Sequence, residues 1–500
     1  MNVRPSTLET RLASPEAAGN GTLQQASVEL RAHWLPTAPA LRLRALFDVR
    51  DGHTRLLLTD RSEDVDALLR THAAGAETPG SDTLAQIATA LDVPLFDPDG
   101  PCALRPRVVA KPWGHERWYT GIESRAVCGV AVPATGGPEH TAAATVPNTG
   151  RTSGRASERN TERTTESTSG NSGEIPLPWL LAALPARYGG IGEPILLKIL
   201  DPHAEPVRGD LYFELHERKQ EVYVVTHIDP RVWPEGRGAI RMGFDPAQLQ
   251  TLGEAGLRSA FAAAVAAYRP VRMQIDAQLD AERAALGITT DAVVDPDTAR
   301  GWELLLPAAL VEAERKLRAR IEALTALVPL RVGDVVRIPR RVPHALQHGV
   351  RVVEFQTPVY ERQILYFAQK VLTQSHWDTE SAIAQMRLRP PASEPPTVEH
   401  EADEARAERI ADFDGFRVLR ITLAPGARCP LPVASHAVLM GLDGRVRIAG
   451  ACVAAQQALL IPGAALGRDV SAADDTAATC LVALPGSAAS AKRPLAEAAS

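Results

Sequence analysis

The chain has 500 residues, 45% of them apolar and 5% aromatic, with a formal charge of -6. That length is too great for one core and predicts two to four domains, and the charge without a basic stripe argues against a nucleic-acid partner. The five cysteines are scattered and form no CxxC pair, and neither a secretory leader nor an apolar run of spanning length is present, which predicts a cytoplasmic protein with no membrane contact.

Residues 1–105 mix strand-like pieces (LRLRALFDV, TRLLLTD) with helical ones (SEDVDALLRTHAA, SDTLAQIATAL) and read as a small α/β appendage. A strand-rich segment opens at VVAKPWGHERWYTG. Residues 133–173, rich in Thr, Ser, Gly and Arg, hold almost no large apolar side chain and read as a disordered insertion. Strands resume at ILLKILDP and continue through EVYVVTHID. A helical block covers 246–328, clearest where Leu310, Ala313, Leu317, Ile321 and Leu324 recur at spacings of three and four. Strands return at LRVGDVVRIP and VRVVEFQTP, so 106–245 and 329–362 form one β unit. A helical tail is expected over 363–388 and a Pro- and Glu-rich linker over 389–410. Residues 411–486 read as a second all-β unit of short strands broken by Gly and Pro, and 487–500 as a polar tail.

The stretch GDLYFELHERKQEVYVVT carries the chemistry. Glu214 and His216 are two apart, so they share a face of a strand, and Glu221 follows after a short break. Downstream, GDVVRIPRRVPHALQHGV supplies His344. If the two hairpins close into one barrel, two histidines and a carboxylate meet inside it, the composition of a metal site with open positions. Glu214 is a candidate fourth ligand. A divalent ion is expected, zinc first, one per chain, with manganese, iron or cobalt as alternatives. The competing reading makes Glu214, Glu217 and Glu221 solvated strand residues and His344 a loop histidine.

ELHERKQE together with GDVVRIPRRVPH resembles the two motifs of the cupin barrel, with Glu214 in place of the first histidine. A narrower resemblance is to the type I mannose-6-phosphate isomerase family. It rests on Lys111-Pro112-Trp113-Gly114, on Lys219-Gln220-Glu221, on the helical block before the last histidine, and on PRRVPHALQHGVRVVEFQ. Three departures stand out. The family has a glutamine where Glu214 stands. The family has a longer loop between its histidine and its glutamate, and its TYR is matched only loosely by Tyr360-Glu361-Arg362.

The resemblance implies a mainly β fold with α insertions: two cupin (jelly-roll) domains, a helical insertion and the N-terminal α/β appendage. The second cupin is expected to be degenerate, because no glutamate stands at the proper distance from His436 and Gly467 stands where a ligand histidine would be. The resemblance also implies aldose–ketose isomerisation of a small sugar phosphate, mannose 6-phosphate to fructose 6-phosphate, by a monomer or weak homo-oligomer. Lys219 is then the candidate base, its pKa lowered by burial beside a metal, and Arg362 the catalytic arginine near the substrate phosphate. Arg340, Arg341 and Trp113 are candidate substrate contacts, and Glu354 a support at the barrel mouth. Two other readings remain: another metal-dependent cupin enzyme, such as an oxygenase or an epimerase, and a sugar-binding cupin without turnover.

Overall fold

The computed structural model describes residues 6–13, 21–30, 40–74, 82–133, 173–188, 194–390, 392, 394–402 and 404–486. The expected insertion, apart from its two end residues, and the expected tail 487–500 lie outside the described residues. The fold is mainly β, built from antiparallel sheets, with one long helix among its α elements.

Eight strands build the first β unit: Leu196–Pro202, Phe213–Leu215, Glu221–Ile228, Gly238–Phe244, Thr325–Leu330, Val335–Ile338, His344–Leu346 and Val350–Gln356. The first pairs with the eighth, the second with the seventh, the third with the sixth and the fourth with the fifth. This nested pairing is that of a jelly roll, a long hairpin wrapped into two facing sheets. The same order recurs further on. Phe416–Leu423 pairs with Ala478–Pro485, Arg428–Pro430 with Asp469–Ala472, His436–Asp443 with Ala458–Pro462, and Arg445–Ile448 with Ala451–Ala454.

The alternation of side chains along the first unit's strands divides its larger sheet into two faces. One face carries Leu197, Ile199, Val222, Val224, Val353 and Phe355. These share a core with Leu43, Phe47 and Leu58 of the N-terminal region and with Val418, Val438, Leu460 and Leu481 of the second jelly roll. The other face carries Leu200, Tyr223, Val225 and Val352 and closes on Phe213, Leu215, Ile240 and Met242 of the opposite sheet. Burial on both faces is why these strands read as nearly continuous apolar runs.

Between the fourth and fifth strands lie the helices Pro246–Ala285, Pro296–Glu303 and Ala308–Glu322. Asp245 caps the first, its carboxylate accepting from the Gln248 amide at 2.8 Å, and Pro246 occupies the first turn, where its missing N–H costs nothing. The helix breaks at Gly253 (φ 68°), and beyond the break Phe261 packs against Phe213 and Phe244 of the barrel.

Several boundaries differ from the sequence reading. The segment 363–388 opens with a strand, Gln363–Tyr366, which pairs with Phe213–Leu215, and only Thr379–Gln385 is helical. Four residues are too few for periodicity to separate strand from helix. The helical block ends earlier, because Thr325–Leu330 is already a strand. The expected linker holds Thr397–Ala402 and part of Ala405–Asp412, an antiparallel pair at the sheet edge whose charged side chains disguised it. The N-terminal region is not separate from the second jelly roll: Cys102–Arg105 pairs with Ala458–Pro462, and Gly129–Ala131 and Glu174–Pro176 extend the same sheet. The chain crosses from that sheet to the first at Pro106, between Cys102–Arg105 and Arg107–Lys111. All five cysteines are buried free thiols. Among the described residues no helix is long and apolar enough to cross a membrane.

Candidate metal centre

The hairpin formed by Arg107–Lys111 and Gly114–Trp118 brings KPWG to the barrel mouth. Gly114 is required there: its φ is 149°, and a Cβ would lie 2.3 Å from the Asp201 carbonyl oxygen. Across the larger sheet, Trp118 registers with Lys198, Lys198 with Glu354 and Glu354 with Tyr223. At one level of the barrel interior the row is therefore aromatic, cationic, acidic, aromatic. Glu221 opens the third strand opposite Gln356 and Ile338. From the facing sheet, Glu214 pairs with His344, and His216 follows one residue past the strand end.

Three of these groups converge. His216, Glu221 and His344 each offer a donor atom within 4.8 Å of the others, and all three residues are buried. Nε2 of His344 lies 3.1 Å from Oε2 of Glu221, and Nε2 of His216 lies 3.4 Å from Oε1. Glu221 is 2% exposed, which removes the reading of a solvated strand carboxylate. The Nδ1–H groups of both rings are committed to main-chain acceptors, His216 to the Glu361 carbonyl at 2.9 Å and His344 to the Val342 carbonyl at 3.1 Å. Each ring thus turns the lone pair of Nε2 toward the carboxylate, the arrangement by which metal-binding histidines are oriented. Burial, reinforced by Lys219, holds the His216 imidazole well below its ordinary pKa and so neutral, and its buried Nε2 has no hydrogen-bond partner. Burial opposes the ionised form of Glu221, but Lys219 and the two histidines outweigh it and hold the carboxyl well below the usual range. Two imidazole donors, an ionised carboxylate and an orphaned buried nitrogen fit a divalent cation.

Beside this cluster, and sharing Glu221 with it, lies a cleft lined by four cationic side chains, Lys111, Lys198, Lys219 and Arg362, and four carboxyls, Glu116, Glu214, Glu221 and Glu354. Lys219 Nζ sits 2.6 Å from Oε1 of Glu221. The expected depression of its pKa is not found. Burial does disfavour its charge, but Glu221, Glu354 and Glu214 more than compensate and raise it. Burial pushes Glu354 up to about 8 against the pull of Lys198. Glu116 goes the other way: burial opposes its charge, yet Lys111 and Lys198 hold it at about 2. Burial also pushes Lys111 down, against the pull of Glu116.

The other sequence candidates divide. Glu214 reaches the cleft, with Oε1 3.7 Å from His216 Nε2 and Oε2 3.6 Å from Nη1 of Arg362, but it stands outside the three-residue cluster. Arg362 lines the cleft and lies over the Tyr212 ring at 5.4 Å. Trp113 is 3% exposed and both packs in the core and lines the cleft wall. Arg340 and Arg341 are not among the lining residues. Arg340 donates to the Arg218 carbonyl at 3.0 Å and pairs with Asp414 at 2.9 Å, and the Arg341 amide donates to the His216 carbonyl at 2.7 Å. Both brace the backbone of the turn that carries His216. Lys198, Glu116 and Tyr223 were missed. For Lys198 the signal was present, a lone lysine inside the apolar run PILLKIL.

The chain is similar to solved phosphomannose isomerases. Over 77% of its length it superposes on mannose 6-phosphate isomerase from Bacillus subtilis, covering 99% of that chain, at 12% identity and a TM-score of 0.47. A variant of phosphomannose isomerase from Salmonella typhimurium gives 77% and 100% coverage, 14% identity and a TM-score of 0.44. A zinc-bound mannose 6-phosphate isomerase gives 77% and 100%, 14% and 0.45. No protein-family model and no curated protein matches the chain. At these identities and scores, what the site does is decided by the residues of this chain.

Proposed function

We propose that the protein is a metal-dependent aldose–ketose isomerase of the cupin type, acting on a sugar phosphate, with interconversion of mannose 6-phosphate and fructose 6-phosphate as the leading reaction. The carrying observation is the buried His216–Glu221–His344 cluster, which shares Glu221 with a cleft lined by Lys111, Lys198, Lys219 and Arg362. The motif resemblances at KPWG, at Lys219-Gln220-Glu221 and around His344 point the same way.

His216, Glu221 and His344 would hold the ion, with Glu214 as a fourth ligand. A divalent ion there supplies Lewis acidity toward the substrate oxygens at C1 and C2. Isomerisation takes a proton from C2 of the open-chain aldose and returns one to C1, while a hydroxyl proton moves between O2 and O1. Lys219, fixed at 2.6 Å from Glu221, is the group assigned to hold and move a proton at Nζ, and an ion on Glu221 and Glu214 would offset the carboxylates that otherwise hold its pKa up. Glu354, raised by burial to about 8, is assigned as a second proton carrier facing the same space. Arg362 is assigned to the substrate phosphate, for which a guanidinium fork is suited. The aromatic walls Trp113, Tyr212 and Tyr223 limit water around the transferred proton.

The test is a coupled assay for mannose 6-phosphate conversion with metal-loaded wild type and His344→Ala. Absence of conversion by the loaded wild type, or full activity in the variant, would sink the proposal. Two histidines and one carboxylate also match the ligand set of non-haem iron oxygenases. Iron bound as isolated, together with oxygen consumption, would favour that reading.

A further inference from the structure

We infer that Glu361 is a positioning residue for the metal centre: it fixes His216, and Lys219 behind it, by gripping the turn that carries both. The inference rests on the metal-centre reading above. Three contacts come from this one residue. Its main-chain carbonyl accepts the Nδ1–H of His216 at 2.9 Å, its Oε1 accepts the Glu217 amide at 2.7 Å, and its Oε2 accepts the Arg218 amide at 3.1 Å.

The physical need is local. The strand Phe213–Leu215 ends just before His216, so the following amides lose their ladder acceptors and require others. The turn Glu217-Arg218-Lys219-Gln220 contains no Gly or Pro to preset its shape. Its conformation is imposed from outside, by Arg341 on the His216 carbonyl, by Arg340 on the Arg218 carbonyl, and by Thr357, whose amide donates to the Gln220 carbonyl at 3.0 Å. Among the described residues only Glu361 hydrogen-bonds both the ring of the ligand histidine and the backbone beside it. Two amides on one carboxylate are charge-assisted hydrogen bonds, stronger than their neutral counterparts. Glu361 touches no reacting group, so its action runs through His216. The next residue is Arg362, which faces Glu214 at 3.6 Å. One short segment therefore carries both the anchor of a metal ligand and the cation assigned to the substrate phosphate.

Cobalt(II) is a suitable probe, since its visible absorption reports ligand geometry. Wild type, Glu361→Gln and Glu361→Ala are titrated with cobalt against a competing chelator, and the metal-free proteins are melted in parallel. Glu361→Ala is expected to weaken cobalt binding about 10- to 100-fold and to alter the visible band. Glu361→Gln, which keeps one acceptor oxygen, falls between it and wild type, and the metal-free melting points stay close together. Wild-type affinity and spectrum in both variants would overturn the inference. So would loss of affinity in Glu361→Ala only in step with loss of the metal-free fold while Glu361→Gln stays at wild type. If wild type takes up no cobalt, or binds it as well after His344→Ala, the metal-centre reading itself is what fails.

Discussion

In the first jelly roll the third strand opens on Glu221, the seventh on His344, and the residue after the second strand is His216. In the second jelly roll the same places hold His436, Asp469 and Leu431. The sequence reading placed Gly467 at the lost histidine, whereas strand order puts the exposed Asp469 there. Leu431 packs in an apolar core with Leu439, Ile461 and Val470, and His436 is the one imidazole left inside, its Nε2 without a hydrogen-bond partner. The first interior instead buries Lys198, Lys219, Glu221, Glu354 and two histidines. Buried charges cost desolvation that their mutual attraction only partly returns. One strand order thus encloses two different interiors, one with buried charges and a candidate metal cluster and one packed with apolar side chains.

The largest contrast to break is between His344 and His436. His344→Ala should lower zinc affinity by more than about 100-fold and abolish isomerisation, since it removes a donor atom from the centre. His436→Leu should leave both unchanged and raise stability by about 1 kcal/mol, because a buried nitrogen without a partner is removed. Metal titration and thermal unfolding of the two variants decide this. Next in size, Lys219→Ala should cut kcat about 10²- to 10⁴-fold while the protein still takes up one metal ion, the signature of a lost proton carrier. Equal loss of metal would mean that Lys219 only supports Glu221.

A pH experiment sharpens the same comparison. Burial lowers His436 to about 4 from an unfolded value near 6.5. Below pH 6.5 the unfolded chain takes up a proton that the folded chain refuses. Stability therefore falls as pH drops from 6.5 toward 4, by roughly 3 kcal/mol for this group over that range. Denaturant midpoints measured over that window should fall less steeply in His436→Leu than in wild type. The smallest effect is expected at the junction of the two barrels. The Arg340–Asp414 pair is partly exposed at 37% and 56%, so Asp414→Ala should cost less than about 1 kcal/mol and leave KM within twofold. A large rise in KM would bring Arg340 back as a substrate contact.

Much of the centre was legible before the fold. His216, Glu221 and His344 stood out because a strand context gives no apolar reason for them, and Lys219 and Arg362 followed from the family resemblance. Lys198 and Glu116 were not read, because a single charged residue in a strand carries no information about which charges face it. Where Arg340 and Arg341 turn was not legible for a related reason: proximity to His344 in sequence says nothing of which way a side chain at the end of a sheet points.

By itself the sequence determined the β character of the two units, the helical block between the fourth and fifth strands, and the chemical types available for a metal. Those are properties of local pattern, in which alternation, turn residues and helical spacing repeat within a few positions. Tertiary structure alone decided that Cys102–Arg105 belongs to the distant second jelly roll, that 363–366 is a strand, and that burial raises Glu354 while Lys111 and Lys198 lower Glu116. Pairing partners and electrostatic neighbours come from residues up to several hundred positions away, and burial converts those distant neighbours into pKa shifts that the local sequence does not encode.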